Sequence, residues 1–128
     1  MLNRSGVAKS TYAATKQILA NVDLQSSVGC IVPQSLGVTV GSKKIAKAGT
    51  PIKVDLMNIN AVAAKADGSV AMNAVLLHDV DVTAGNANGT ALIFGFVNVN
   101  RVESDVATAI TAAAAATGRS TLITFMKV

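Results

Sequence analysis

Apolar and polar positions change their period along this chain, and the changes outline the elements. Residues 1–27 are polar with scattered small side chains and no sustained period. Within "TYAATKQILANVD", Tyr12, Lys16 and Leu19 fall at helical spacing, but only Tyr12, Ile18, Leu19 and Val22 offer apolar surface. This predicts an arm, extended or briefly helical, that orders on a partner. From Val28 onward β-branched residues recur. Val38 and Val40 share one face of a short strand, Gly41 and Ser42 supply a turn, and Gly49-Thr50-Pro51 breaks the chain again. Beyond Pro51 the alternation is clean: Ile52, Val54 and Leu56 point one way, Lys53, Asp55 and Met57 the other, as in a half-buried strand with a wet face.

Asp67-Gly68 predicts the next turn, with glycine accepting a positive φ. "VAMNAVLLHDVDV" reads as strand with a break near Asn73, and "TAGNANGT" as a loop. "ALIFGFVNVN" returns as strand with Ile93, Gly95, Val97 and Val99 on one face and Phe94, Phe96 and Asn98 on the other. Its first half is apolar on both faces and is expected to be covered on both. Residues 103–117 predict a helix with Ser104 as N-cap, acids Glu103 and Asp105 at its positive end, Gly118 to terminate it, and a narrow stripe of Val106, Ile110 and Ala113 or Ala114. "STLITFMKV" closes the chain as a strand with Leu122, Thr124 and Met126 opposite Ile123 and Phe125. The expected fold is α+β: a mainly antiparallel small β barrel or sandwich with one Ala-rich helix near the C-terminus. A compact body over residues 28–128 follows an arm over 1–27.

A length of 128 residues suits one domain. Hydrophobic residues are 51% of the chain but aromatics only 3%, so the core must be built from Val, Ile, Leu and Met. Charged residues are 14% of the chain, against about a quarter in a typical soluble domain, and we take the deficit as surface covered by partners. The formal charge of +4 is uneven. Residues 1–53 hold seven basic side chains against Asp23, giving +6, while residues 54–128 hold four against six acids, giving −2. Such a dipolar chain is suited to docking its amino-terminal half on an acidic surface. Nucleic acid is a weaker match, because the lysines form a small cluster and not a long stripe interleaved with aromatics. Cys30 is the lone cysteine, which rules out an intramolecular disulfide and a Cys-rich zinc site and suits synthesis in a reducing cytoplasm. No export signal or membrane anchor is expected, since the Ala run at 112–116 is too short to span a bilayer.

The segment richest in chemical groups is "HDVD". On a strand, Asp79 and Asp81 would face one way and His78 and Val80 the other, so the four residues do not converge on one ion. Metal binding is not expected, nor is a cofactor, because no phosphate-cradling glycine motif is present. His78 is the only imidazole, and Cys30, its one conceivable nucleophilic partner, carries no signature around it. The chain is therefore expected not to be an enzyme. The main rival is a small β-barrel that binds single-stranded nucleic acid, stacking bases on Phe94 and Phe96 and holding phosphates with Lys43, Lys44 and Lys47.

"KAGTPIKVDL", an Asp-Gly turn, "AVLLHDVDVT", a Gly/Asn loop, "ALIFGFVNVNRV", a helix and a closing strand together resemble the head decoration proteins of tailed bacteriophages, also called capsid cement or head fiber proteins. The resemblance spans roughly residues 47–101. It implies a structural virion protein, made in the host cytoplasm, that binds the outside of an assembled capsid and stabilises it. Its partner would be the major capsid protein and its copies would form homo-oligomers, with trimers favoured. Carried onto this chain, the docking residues are Arg4, Lys9, Tyr12, Lys16, Lys43, Lys44 and Lys47, and the loop from Gly85 to Gly89 lies at the domain surface. A tail-tube or fibre-base subunit is the other virion alternative. The chain departs from the pattern at Ala74-Val75, where a glycine is expected, and in its Ala-rich helix.

Overall fold

The computed structural model describes residues 17–128. The expected docking residues Arg4, Lys9, Tyr12 and Lys16 lie outside the described residues. Among the described residues the fold is mixed α+β: mostly antiparallel strands in two sheets, with one α-helix near the C-terminus and no closed barrel. The strands are β1 (Ser26–Val32), β2 (Val38–Val40), β3 (Lys43–Ala46), β4 (Pro51–Lys53), β5 (Ala64–Lys65), β6 (Ala74–Leu76), β7 (Val80–Asp81), β8 (Ala87–Asn98) and β9 (Ile123–Met126). The helix α1 spans Ser104–Ala114. The larger sheet has the order β1-β8-β6-β4-β5, with β9 added in parallel to the far half of β8; the smaller has the order β2-β3-β7. The ends of the larger sheet approach each other: Ile31 bridges Val62, and the Ala63 N–H donates to the Ile31 carbonyl at 2.9 Å. A single bridge does not close a barrel.

Alternation along β6 builds two cores. Ala74 and Leu76 enter a cluster with Val32, Ile52, Ala46 and Val82, filling the space between the sheets. Val75 and Leu77 point the other way, into a cluster with Leu92, Val97, Ile123 and Ala113 of α1. The expected covering of β8 on both faces is met, since Ala91 lies in the first cluster and Leu92 in the second.

The face assigned to Ile93 needs correction: it packs against the first cluster, while Val97, expected beside it, lies in the second. Leu92 and Val97 are an odd number of residues apart, yet they share the cluster beneath α1. The reason is a bulge: Ser27 pairs with Leu92 but Ser26 with Phe94, so Ile93 is an extra residue and the alternation resets.

The amino-terminal boundary also moves. Ile18 is fully buried and Leu19 nearly so, both in the cluster with α1. Their backbone pairs with the end of β8, where Asn98 N–H donates to the Ile18 carbonyl at 2.8 Å and Ala20 N–H to the Phe96 carbonyl at 2.9 Å. The compact body thus includes residues that the polar pattern assigned to the arm, because two large aliphatic side chains suffice to anchor an extended segment without periodicity.

Local chemistry shortens other strands. β4 ends at Lys53, because the Asn73 side chain brackets Val54, accepting its N–H and donating to its carbonyl, both at 2.8 Å. Asp55 then accepts the Met57 N–H at 3.0 Å, a turn that throws Leu56 out of the predicted strand face. The turn at Asp67 forms as expected but by a different device: its carboxylate accepts the N–H groups of Ser69 and Val70, and Gly68 is not among the positive-φ glycines. Of the predicted loop, Asn88 and Gly89 belong to β8, so only its first part is a connection. A Cβ on Gly89 would lie 2.8 Å from a Val32 methyl, which explains glycine there by close packing between the sheets.

The helix begins with Glu103 at the N-cap position and Ser104 as its first residue, without a side-chain cap bond, and its last residue is Ala114. Gly118 takes a left-handed φ of 87° in the connection beyond the helix instead of capping it. The expected stripe of Val106, Ile110 and Ala113 is buried.

Candidate docking surfaces

"HDVD" is not one strand. β6 stops at Leu76 and β7, in the other sheet, starts at Val80, so His78 and Asp79 occupy the crossing between sheets. Each acid is committed to the scaffold. Asp79 accepts the Ala48 N–H at 2.7 Å, and Asp81 accepts the Thr83 N–H at 2.9 Å with Lys43 4.0 Å away. His78 Nδ1 is buried with no hydrogen-bond partner among the described residues. No group of three or more His, Cys, Asp or Glu side chains is placed to hold a metal ion among the described residues. Cys30 lies in the core between the sheets, where burial pushes its thiol pKa up, the opposite of what activates a nucleophile.

The three described docking lysines differ in their surroundings. Lys43 and Lys44 stand exposed on β3, the middle strand of the small sheet. Lys47 is largely covered and binds both carboxylate oxygens of Asp105, at 3.1 and 3.3 Å, in the first turn of α1. Its charge is thus engaged inside the domain.

Three carboxylates are held below the ordinary aspartate value. Burial pushes Asp105 up, but the Lys47 hydrogen bond and charge, with the Val106 and Asp105 N–H groups, outweigh it. Hydrogen bonds from the Ser69 and Val70 backbone act on Asp67, and those from Thr83 on Asp81. A carboxylate whose folded pKa is depressed adds stability above its unfolded pKa and loses it as pH falls through the folded one. The melting temperature is therefore expected to hold from neutral pH to about 4, near the unfolded aspartate value, and to fall below it. Asp105→Asn should flatten that acid limb. A melting temperature that declines between neutral pH and about 5 would contradict this assignment.

The structure exposes more apolar side chains than Met57, the one that the sequence pattern placed on the wet face after Pro51. In the loop after β4, Met57 is 95% exposed, and Leu56, Ile59 and Val62 are each about half exposed. Between Asp55 and Lys65 this loop carries no charge. The signal lay in "DLMNINAV", where an aspartate able to form a turn precedes apolar residues separated by asparagines. Val38 and Val40, on the edge strand β2, are 42% and 50% exposed. Phe94 and Phe96, expected as core or as a stacking platform, are only partly covered and belong to neither cluster. Among the described residues no helix is long and apolar enough to cross a membrane. Comparison of the chain with family models, with curated proteins and with solved structures finds no match.

Proposed function

We propose that this protein is a structural virion component that docks on the outside of an assembled phage capsid and reinforces it. The observation that carries the reading is how the chain disposes of its chemical groups. The carboxylates of its most reactive-looking segment brace its own backbone, while apolar side chains, Met57 above all, stand in solvent. A protein built this way works through contact, and on a repeated lattice many moderate contacts add up. A ligand that binds only the assembled shell lowers the free energy of that state by mass action. The uneven charge adds orientation: Lys43 and Lys44 are exposed cations in the basic half, suited to acidic residues of the capsid protein.

The test is binding of purified protein to particles that lack it, followed by electron microscopy. Saturable density on the shell exterior is expected, and Lys43→Glu with Lys44→Glu should weaken binding, as should raised salt. Particles that remain undecorated at saturating protein would end this reading, and binding indifferent to salt would remove the lysines from it. Deletions that probe the amino-terminal arm must stop at Lys16, because Ile18 and Leu19 belong to the core.

A further inference from the structure

The loop over residues 54–63 holds its shape through its own backbone. The Asp55 carboxylate accepts the Met57 N–H at 3.0 Å, the Asp55 carbonyl accepts the Asn58 N–H at 3.1 Å, and the Asn58 carbonyl accepts the Ala61 N–H at 3.0 Å. Its two ends are tied to the domain, one by the Asn73 side chain that brackets Val54 and the other by the Ala63 N–H bond to Ile31. These turns carry Met57 to 95% exposure, and none of the bonds uses its thioether. The other sulfur atoms of the described residues belong to more covered side chains: Met72 is 1% exposed, Cys30 is 4% exposed and Met126 is partly buried. Burial also raises the Cys30 pKa, and a thiol reacts with a peroxide as its thiolate, whereas a thioether needs no deprotonation.

We propose that Met57 is a reversible oxidation site whose sulfoxide switches off the apolar surface of this loop while the fold stays intact. A peroxide transfers one oxygen atom to the thioether: the sulfur lone pair attacks, the S–O bond forms as the O–O bond breaks, sulfur loses two electrons, and the peroxide leaves as water or an alcohol. The product places a polar S=O group at the apex of a patch formed with Leu56, Ile59 and Val62, in a segment without charge between Asp55 and Lys65. In solvent that group is hydrated. Against an apolar partner it must give up its water without a hydrogen bond in return, which opposes contact. A sulfoxide reductase reverses the step, and a side chain this exposed is open to one. The consequence for capsid docking rests on the reading above; the site and its effect on the loop surface do not.

Dilute hydrogen peroxide on the full chain, followed by tryptic mapping, tests the site, because residues 54–65, 66–101 and 120–127 fall in separate peptides that carry Met57, Met72 and Met126. The Met57 peptide should gain oxygen first, at least about tenfold faster than the Met72 peptide. The oxidised protein should keep the parent melting temperature, elute earlier from a phenyl column, and regain the parent retention after treatment with methionine sulfoxide reductases. Met57→Leu should show no peroxide-dependent change in retention. Met57→Gln, which puts a polar group at the apex without oxidant, should elute early from the start. Oxidation of Met72 or Met126 as fast as that of Met57, a melting temperature that falls as Met57 oxidises, or a retention shift of equal size in Met57→Leu would overturn the proposal. On capsid particles, oxidation should weaken binding roughly tenfold. Equal binding before and after would remove the switch from docking. Particles that bind neither form would end the docking reading, and the mapping and retention results would then decide the site by themselves.

Discussion

Replacing Ile18 by alanine is expected to cost about 2–5 kcal/mol of unfolding free energy, the range for truncating a large buried aliphatic side chain. That is a large share of the roughly 5–15 kcal/mol by which a domain is stable. Ile18 has no exposed surface and packs in the cluster with Leu92, Val97, Ile123 and Ala113 of α1. Its backbone is tied to Asn98, so the side chain cannot withdraw and let the cluster collapse inward, and the cavity term adds to the lost transfer energy. The measurement is urea unfolding, read as a lower midpoint at an unchanged slope. Val22→Ala, at a half-exposed position a few residues on, should change the midpoint little. Equal midpoints for Ile18→Ala and the parent would mean that residues 18–20 stand outside the cooperative unit, and the domain boundary would return to the start of β1.

Gly49→Ala is expected to destabilise by about 2–4 kcal/mol, for two separable reasons. The residue adopts φ of 94°, where an L side chain costs roughly 1–2 kcal/mol. A Cβ there would also lie 2.6 Å from the Val102 Cγ1, closer than real contacts allow, and 3.1 Å from the Val106 Cγ1, tighter than most. Overpacking of this kind costs about 1–3 kcal/mol. The loss of unfolded-chain freedom offsets only about 0.4–1 kcal/mol. The backbone cannot shift freely, since Gly49 N–H donates to the Leu76 carbonyl at 2.7 Å just before β4 begins. Glycine at this point lets the chain entering β4 touch the start of α1. A double-mutant cycle separates the causes: Val102→Ala should recover the steric share of the Gly49→Ala loss and leave the conformational share. If Gly49→Ala melts like the parent, the close approach to Val102 is not maintained in solution.

Much of the architecture was readable from local pattern. The helix and its buried stripe, the two faces of β9 and the turn at Gly41, with φ of 63°, stand where the sequence placed them. These features depend on the residues that compose them: a period, a glycine able to take positive φ, a run of good helix formers. The extent of β4 was not readable, because its ladder is ended by Asn73, nineteen residues away. Nor was the fate of "HDVD". Alternation predicts faces only within one strand, and this segment is divided between two sheets.

The sequence by itself determined the class of the fold, the thin aliphatic core, the uneven charge and the poverty of groups for chemistry, since each follows from which residues are present and how they recur. Only the tertiary structure decided that Ile18 and Leu19 belong to the core, that a bulge turns Phe94 and Phe96 outward, and that Lys47 binds Asp105. The physical reason is the same in each case. A side chain's surroundings are set by partners distant along the chain, and one extra residue in a strand reverses every face beyond it.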